Sequence, residues 1–168
     1  MIKEISKHTG TFFLLLLIQV LILNHIEFSG FINGYLYVLF ILTLPFETPK
    51  WLLLFASFAM GISVDIFCQT MGIHAFAALC MGFFRPYLLE VIAPREGYDI
   101  GVKPDVNSFG FYWFLKYATI LVLAHHIVLF YTETFTFHQF FFTFLRVILS
   151  TVFTLILIVL SQLLILKR

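Results

Sequence analysis

Long apolar runs separated by short polar breaks make up almost the whole chain. Residues 11–23 are apolar apart from Gln19, and the run ends at Asn24-His25-Ile26-Glu27. Residues 28–46 are less regular. Gly30, Asn33 and Gly34 interrupt them, and the apolar part is confined to 35–44. This stretch reads either as a span or as a re-entrant segment. The turn Pro45-Phe46-Glu47-Thr48-Pro49-Lys50 follows, with prolines placed to stop one helix and start the next. Further apolar runs occupy 51–67, 73–84, 109–130 and 139–166. Runs of this length match the roughly 20 residues a helix needs to cross a bilayer. The pattern therefore predicts an all-α, polytopic integral membrane protein. It has one membrane domain and six transmembrane helices, over about 10–26, 28–46, 51–68, 72–92, 109–131 and 139–166.

Composition strengthens this reading. Of 168 residues, 61% are hydrophobic and 11% charged, whereas a soluble domain carries about 25% charged residues. The basic residues also orient the chain. Six spans place Lys3, Lys7, Lys50, Arg85, Arg95, Lys103, Lys167 and Arg168 on one side and none on the other, with Lys116 and Arg146 inside spans. Because short cytoplasmic flanks are enriched in Lys and Arg, both termini are expected in the cytoplasm. A re-entrant 28–46 would weaken that asymmetry. The basic start followed by an apolar run lacks a small-residue cleavage pattern, so the first helix reads as uncleaved. Net charge of +1 gives no sign of a nucleic-acid partner, and membrane lipid is the expected surroundings.

The densest chemistry lies between Gly61 and Pro86. An acidic residue, Asp65, sits in an apolar run, where a carboxylate is costly and by default marks function or assembly. Ser57, Gly61, Asp65 and Gln69 recur every four residues and form one stripe. After a turn at 68–71, His74, Ala78, Gly82 and Pro86 form another, with Ala75 beside it. Small residues at this spacing let helix backbones approach closely in membranes, so the third and fourth helices are expected to pair, with Asp65 and His74 near one membrane face. Residues 85–108 read as the one long polar connection, in which 87–93 either continue the helix or lie along the surface. Thr143, Arg146, Ser150 and Thr154 give the last helix a polar stripe.

Asp65, Gln69, His74, His125, His126 and Arg146 are all expected in the outer half. One reading pairs Asp65 with Arg146, which would offset the desolvation of both charges; the other leaves Arg146 at the outer interface, snorkelling. Gln19 is expected to find a partner on another helix. Adjacent His125 and His126 point about 100 degrees apart on a helix and cannot readily share an ion. No cysteine–histidine cluster has metal-ligand spacing, so no metal or other cofactor is expected. Cys68 and Cys80 read as small core residues. Glu96, Asp99 and Asp105 are interspersed with Arg95 and Lys103, unlike the grouped carboxylates a lipid-phosphate enzyme needs for a divalent ion. The position of Glu90 is left open.

The central pattern resembles the rod shape-determining protein MreD family: Leu44-Pro45, then Gly61-x-x-x-Asp65, a short turn, Gly72-Ile-His74-Ala75, and a helix ending in Arg85-Pro86. Length, span number and orientation are also similar. The resemblance implies a non-enzymatic inner-membrane component of the bacterial elongation machinery. It would bind the bitopic protein MreC and connect indirectly to actin-like MreB and peptidoglycan synthases. It also implies a helical arrangement similar to the substrate-binding subunits of energy-coupling factor transporters, whose pocket opens outward. The alternative function is therefore a small-molecule, vitamin-like binding subunit of a transporter. The residues expected to matter are Gly61 and Gly72 for close packing and the turn, Asp65 and His74 for the polar core, Arg85 toward lipid headgroups or a partner, and Arg146.

Overall fold

The computed structural model describes residues 2–25, 32–95, 97–99, 101–134 and 140–166. Glu27, Glu96, Lys167, Arg168 and the start of the predicted second span lie outside them. All regular elements among the described residues are helices: α1 (Ile2–Leu21), a 3-10 turn (Leu23–His25), α2 (Val38–Thr43), α3 (Lys50–Cys68), α4 (Ile73–Val91), α5 (Val106–Phe109), α6 (Phe111–Thr134) and α7 (Phe140–Leu166). Among the described residues four stretches are long and apolar enough to cross a membrane: Lys7–His25, Lys50–Cys68, Phe111–Thr134 and Phe140–Leu164.

The third and fourth helices pair as the small-residue stripes predict, and theirs is the most extensive helix contact. α6 packs on α4, α7 on α6, and α1 on α3. The helix boundaries differ from the sequence expectation in several places. The polar start is already helical from Ile2, and α6 runs on to Thr134, so Glu133 is on a helix rather than in a loop. α4 continues through Pro86 to Val91, close to the expected 72–92 and in line with the helical one of the two readings of 87–93, so the polar connection begins at Ile92 and not at Arg85. A proline inside a membrane helix is tolerated when its surroundings re-satisfy the freed carbonyl.

The second predicted span departs most from its expectation. Among its described residues only 38–43 are α-helical, while 33–35 have no regular structure and 36–37 form a turn. This stretch is the centre of the molecule. Tyr37, Val38, Ile41 and Leu42 have no solvent exposure, and the other helices surround them. Non-helical backbone of this kind cannot satisfy its own N–H and C=O groups, and burying them unpaired is costly. Polar side chains from two other helices, α1 and α7, meet this need. Asn33 N donates to Ser150 Oγ at 3.2 Å, and Tyr35 N to Thr154 Oγ1 at 3.1 Å. Gln19 Nε2 donates to Gly34 O at 3.0 Å, and its Oε1 accepts from Tyr37 N at 3.4 Å. Gln19 thus finds the long-range partner expected of it. The polar stripe on α7 has the same explanation: Ser150 and Thr154 take the place of a neighbouring strand.

At the other end of this segment, Leu42 and Leu44 expose the carbonyls that a helix leaves free at its C-terminus. Tyr117 Oη donates to Leu42 O at 3.0 Å, and Arg85 Nη2 donates to Leu44 O. The connection from α4 to α6 is fixed against this end by aromatic packing. Tyr98 stacks on Phe46 with ring centroids 4.1 Å apart, and Trp113 on Tyr117 at 5.3 Å. Burial pushes the Tyr98 phenol up to about 12, so it stays protonated and donates to Leu89 O at 2.8 Å. Asp105, one of the loop acids, caps the short α5 by accepting from Ser108 N at 2.8 Å, while Asp99 is exposed.

Replacing Thr154 with Val keeps the shape and removes the acceptor of the Tyr35 amide. Thr154→Val, which also removes the donor to His126 Nε2, is expected to lower unfolding stability by roughly 1–3 kcal/mol for each buried group left unsatisfied, while Thr154→Ser stays near wild type. Thermal unfolding in detergent reads both, and equal stability of all three proteins would contradict the bonding scheme.

Candidate functional site

The turn between α3 and α4 is built around Asp65, which is only 2% exposed. Its backbone carbonyl accepts from the amides of Gln69 and Thr70, closing the end of α3. Gln69 adopts the left-handed conformation (φ 55°), as does Gly72 (φ 82°), and together they reverse the chain. Gly72 suits this position because a residue without a Cβ enters the left-handed region without strain. It brings no side-chain cap to α4, however, so the first amides of that helix need another acceptor. The Asp65 carboxylate is that acceptor. Oδ2 accepts from Ala75 N at 2.8 Å, and Oδ1 from His74 N at 3.1 Å. Oδ1 also accepts from Thr70 Oγ1 and from His74 Nδ1, the latter at 3.0 Å. The negative charge lies at the positive end of the α4 dipole, which favours it there.

Such a cap requires the two helices to be very close, and Gly61 permits this. A Cβ at Gly61 would lie 2.5 Å from Ala75 Cα and 2.6 Å from His74 O, both backbone atoms that cannot turn aside. About two turns away from the cap, the Ser57 side chain packs directly on Gly82. The stripes predicted from the sequence thus supply the contact faces, with Ser57, Gly61 and Asp65 meeting Gly82, Ala75 and His74. Gln69, predicted to extend the first stripe, is instead exposed as the cap residue.

The predicted Asp65–Arg146 pair does not form. Asp65 is fully engaged by the turn. Arg146 Nη1 donates to Glu133 Oε2 at 3.0 Å, and its guanidinium lies 4.4 Å from the Phe130 ring centroid. Helical extension of α6 to Thr134 explains the difference, because it brings Glu133 alongside α7. Asn33 adds a contact. With its amide oriented to match donors and acceptors, its oxygen accepts from Arg146 Nη2 at 3.0 Å.

Arg85 is also not where it was expected. Rather than facing headgroups, it is 1% exposed, and its Nε donates to Tyr117 Oη at 2.8 Å while Nη2 reaches Leu44 O. An Arg followed by Pro at the end of an apolar run reads as a boundary. The signal overlooked was Tyr117, a phenol inside an apolar run that can meet both a buried guanidinium and a free carbonyl. Glu90, left open by the sequence, is exposed.

His125 and His126 are both fully buried and do diverge. His125 Nε2 is 2.7 Å from Tyr37 Oη. His126 Nδ1 is 2.7 Å from Val122 O, which as an acceptor fixes the proton on Nδ1; Nε2 then accepts from Thr154 Oγ1 at 3.3 Å. Each therefore has a structural partner, and among the described residues no group of histidine, cysteine and acidic side chains has metal-binding geometry. His74, beside the cap, borders a cavity of about 360 Å³ lined also by Gln19, Asn24, Asn33, Tyr35 and Cys68. Its Nδ1 carries the proton given to Asp65, so in the neutral ring Nε2 is the acceptor. Asn24 Nδ2 lies 3.0 Å from Cys68 Sγ and ties the end of α1 to the end of α3. Comparison of the chain with protein-family models, curated proteins and solved structures gave no match.

The close approach at Gly61 gives a direct test. Gly61→Ala forces α3 from α4 and is expected to cost about 1–3 kcal/mol, typical of overpacking. Gly10→Ala, on α1 with nothing within 4 Å of the added atom, should be neutral or slightly stabilising. Thermal unfolding of the two variants side by side measures this, and equal effects would contradict the contact.

Proposed function

We propose that the chain is a non-enzymatic scaffold of the bacterial wall-elongation machinery, a protein of the rod shape-determining MreD type in the inner membrane. It would cross the membrane six times with both termini in the cytoplasm, and bind an MreC-like bitopic protein. Through that partner it would connect to actin-like MreB and peptidoglycan synthases. One observation carries the proposal. The residues on which the resemblance rests, Gly61, Asp65, Gly72, His74 and Ala75, are far from independent. They form one unit in which the glycines admit the approach and the carboxylate caps the helix.

Two further features support it. The central segment covers roughly 25 Å between residues 32 and 44, given about 3.3 Å per extended residue and 1.5 Å per helical one; this is close to the ~30 Å hydrocarbon thickness. It therefore suits a second crossing that is only partly helical. The buried polar side chains also hold backbone groups in place, leaving apolar surface outside. On α7, Phe141, Phe144, Leu145, Ile148, Val152 and Ile156 are exposed. A partner's transmembrane helix would bind such a surface by packing, because apolar lipid and apolar protein differ little in hydrophobicity.

The cavity beside His74 favours the second reading, a small-molecule binding subunit of a transporter, since a polar pocket at the outer end is what that function requires. Native mass spectrometry of the protein released gently from its own membrane separates the two. The scaffold reading expects a co-purifying single-span protein and no stoichiometric small molecule. It also expects Asp65→Ala to reduce that partner's recovery, because loss of the cap disturbs the hairpin. A stoichiometric small-molecule adduct without a protein partner would replace the scaffold with the binding subunit.

A further inference from the structure

The guanidinium of Arg85 is buried without a counter-ion. Its two protein acceptors, Tyr117 Oη and Leu44 O, are neutral, and Nη1 makes no hydrogen bond with the described residues. Arg85 takes no part in the ion pairs His74–Asp65 and Arg146–Glu133. Arginine cannot shed its charge by losing a proton. Burying an uncompensated ion costs several kcal/mol, and the C-terminal dipole of the six-residue α2 offsets little of that.

The surroundings indicate what compensates it. Arg85 lines a second cavity, of about 230 Å³, shared with Thr48, Lys50, Glu90 and Tyr98. It lies where α3 begins and α4 approaches its end, at the opposite end of the hairpin from Asp65. Lys50 supplies another positive charge, its Nζ 5.5 Å from the Tyr87 ring centroid. Thr48 Oγ1 donates to Pro45 O at 2.8 Å, and the Tyr98 hydroxyl to Leu89 O, so neither is a counter-ion. The one carboxylate at the rim, Glu90, is exposed to solvent.

We propose that this cavity binds a phosphate group through Arg85 and Lys50. Guanidinium presents paired donors that match phosphate oxygens, and basic pockets between membrane helices hold anionic lipid headgroups in this way. The phosphate comes from an anionic lipid or from the free ion; the chemistry at Arg85 is the same. The site is independent of whether the protein acts as a scaffold or as a transporter subunit.

The test uses the full-length protein in mild detergent, with native mass spectrometry after addition of phosphatidylglycerol, phosphatidylcholine or inorganic phosphate. A phosphatidylglycerol adduct preferred over phosphatidylcholine is expected. Lys50→Gln should weaken it about fivefold, the worth of one basic side chain at the membrane surface, and Glu90→Gln should strengthen it. Arg85→Gln should abolish it. Because Arg85 also holds Leu44, the Lys50 and Glu90 variants carry the result if that protein fails to fold. Binding of inorganic phosphate but not of the lipid, with the same dependence on Lys50 and Glu90, would support the site and identify the free ion as its source. Equal adducts with both lipids and no phosphate binding, unchanged by Lys50→Gln and Glu90→Gln, would overturn the proposal.

Discussion

A buried backbone that is not helical must be hydrogen-bonded by something other than itself, and this constraint organises the molecule. In an apolar environment there is no water to supply the missing partners. The chain breaks its helical pattern at the largely buried segment 32–37 and at the turn 69–72, whose tip is exposed but which leads into the buried amides of His74 and Ala75. At each, side chains from elsewhere supply the partners. Gln19, Ser150 and Thr154 serve the first; the carboxylate of Asp65 serves the second. Tyr117 and Arg85 complete the far end of the central segment. The scattered polar residues of an otherwise apolar sequence thus have a common task.

That task bears on function. A side chain that already holds an amide or carbonyl is poorly placed to perform proton transfer or nucleophilic attack, since either would release the backbone group it supports. Asp65 shows this most clearly: two of its four side-chain contacts are the backbone amides with which α4 begins. The features left over are of a different kind. They are an apolar exterior, a polar cavity beside His74 and a cationic cavity around Arg85 at the opposite end of the hairpin. Binding surfaces, for helices, lipids or small molecules, follow naturally from that distribution.

The hairpin was legible in the sequence because its determinants are local. Small residues four apart mark the contact faces, and a glycine-bearing turn joins them. The partner of Asp65 was not legible from charge alone, as an opposite charge on α7 was equally available. The deciding fact is that Gly72 leaves the start of α4 uncapped, which makes the nearby amides of His74 and Ala75 the stronger claim on the carboxylate. Arg146 then pairs with Glu133, a residue that the expected span of about 109–131 left outside the helix. Residues 28–46 were ambiguous for a sound reason. Gly34 and Asn33 break helical periodicity, while Val38 to Leu42 restore it, and the structure uses both halves. Arg85 was misread because charge and proline at the end of an apolar run ordinarily mark an interface.

The central claim, that the buried non-helical backbone is held by side chains, is tested most directly by amide hydrogen exchange of the wild-type protein in lipid nanodiscs. The amides of Asn33, Tyr35 and Tyr37 are expected to be protected comparably with those in the middle of α3 and α6. Exchange of these three at the rate of an open loop, with the helices still protected, would contradict the account.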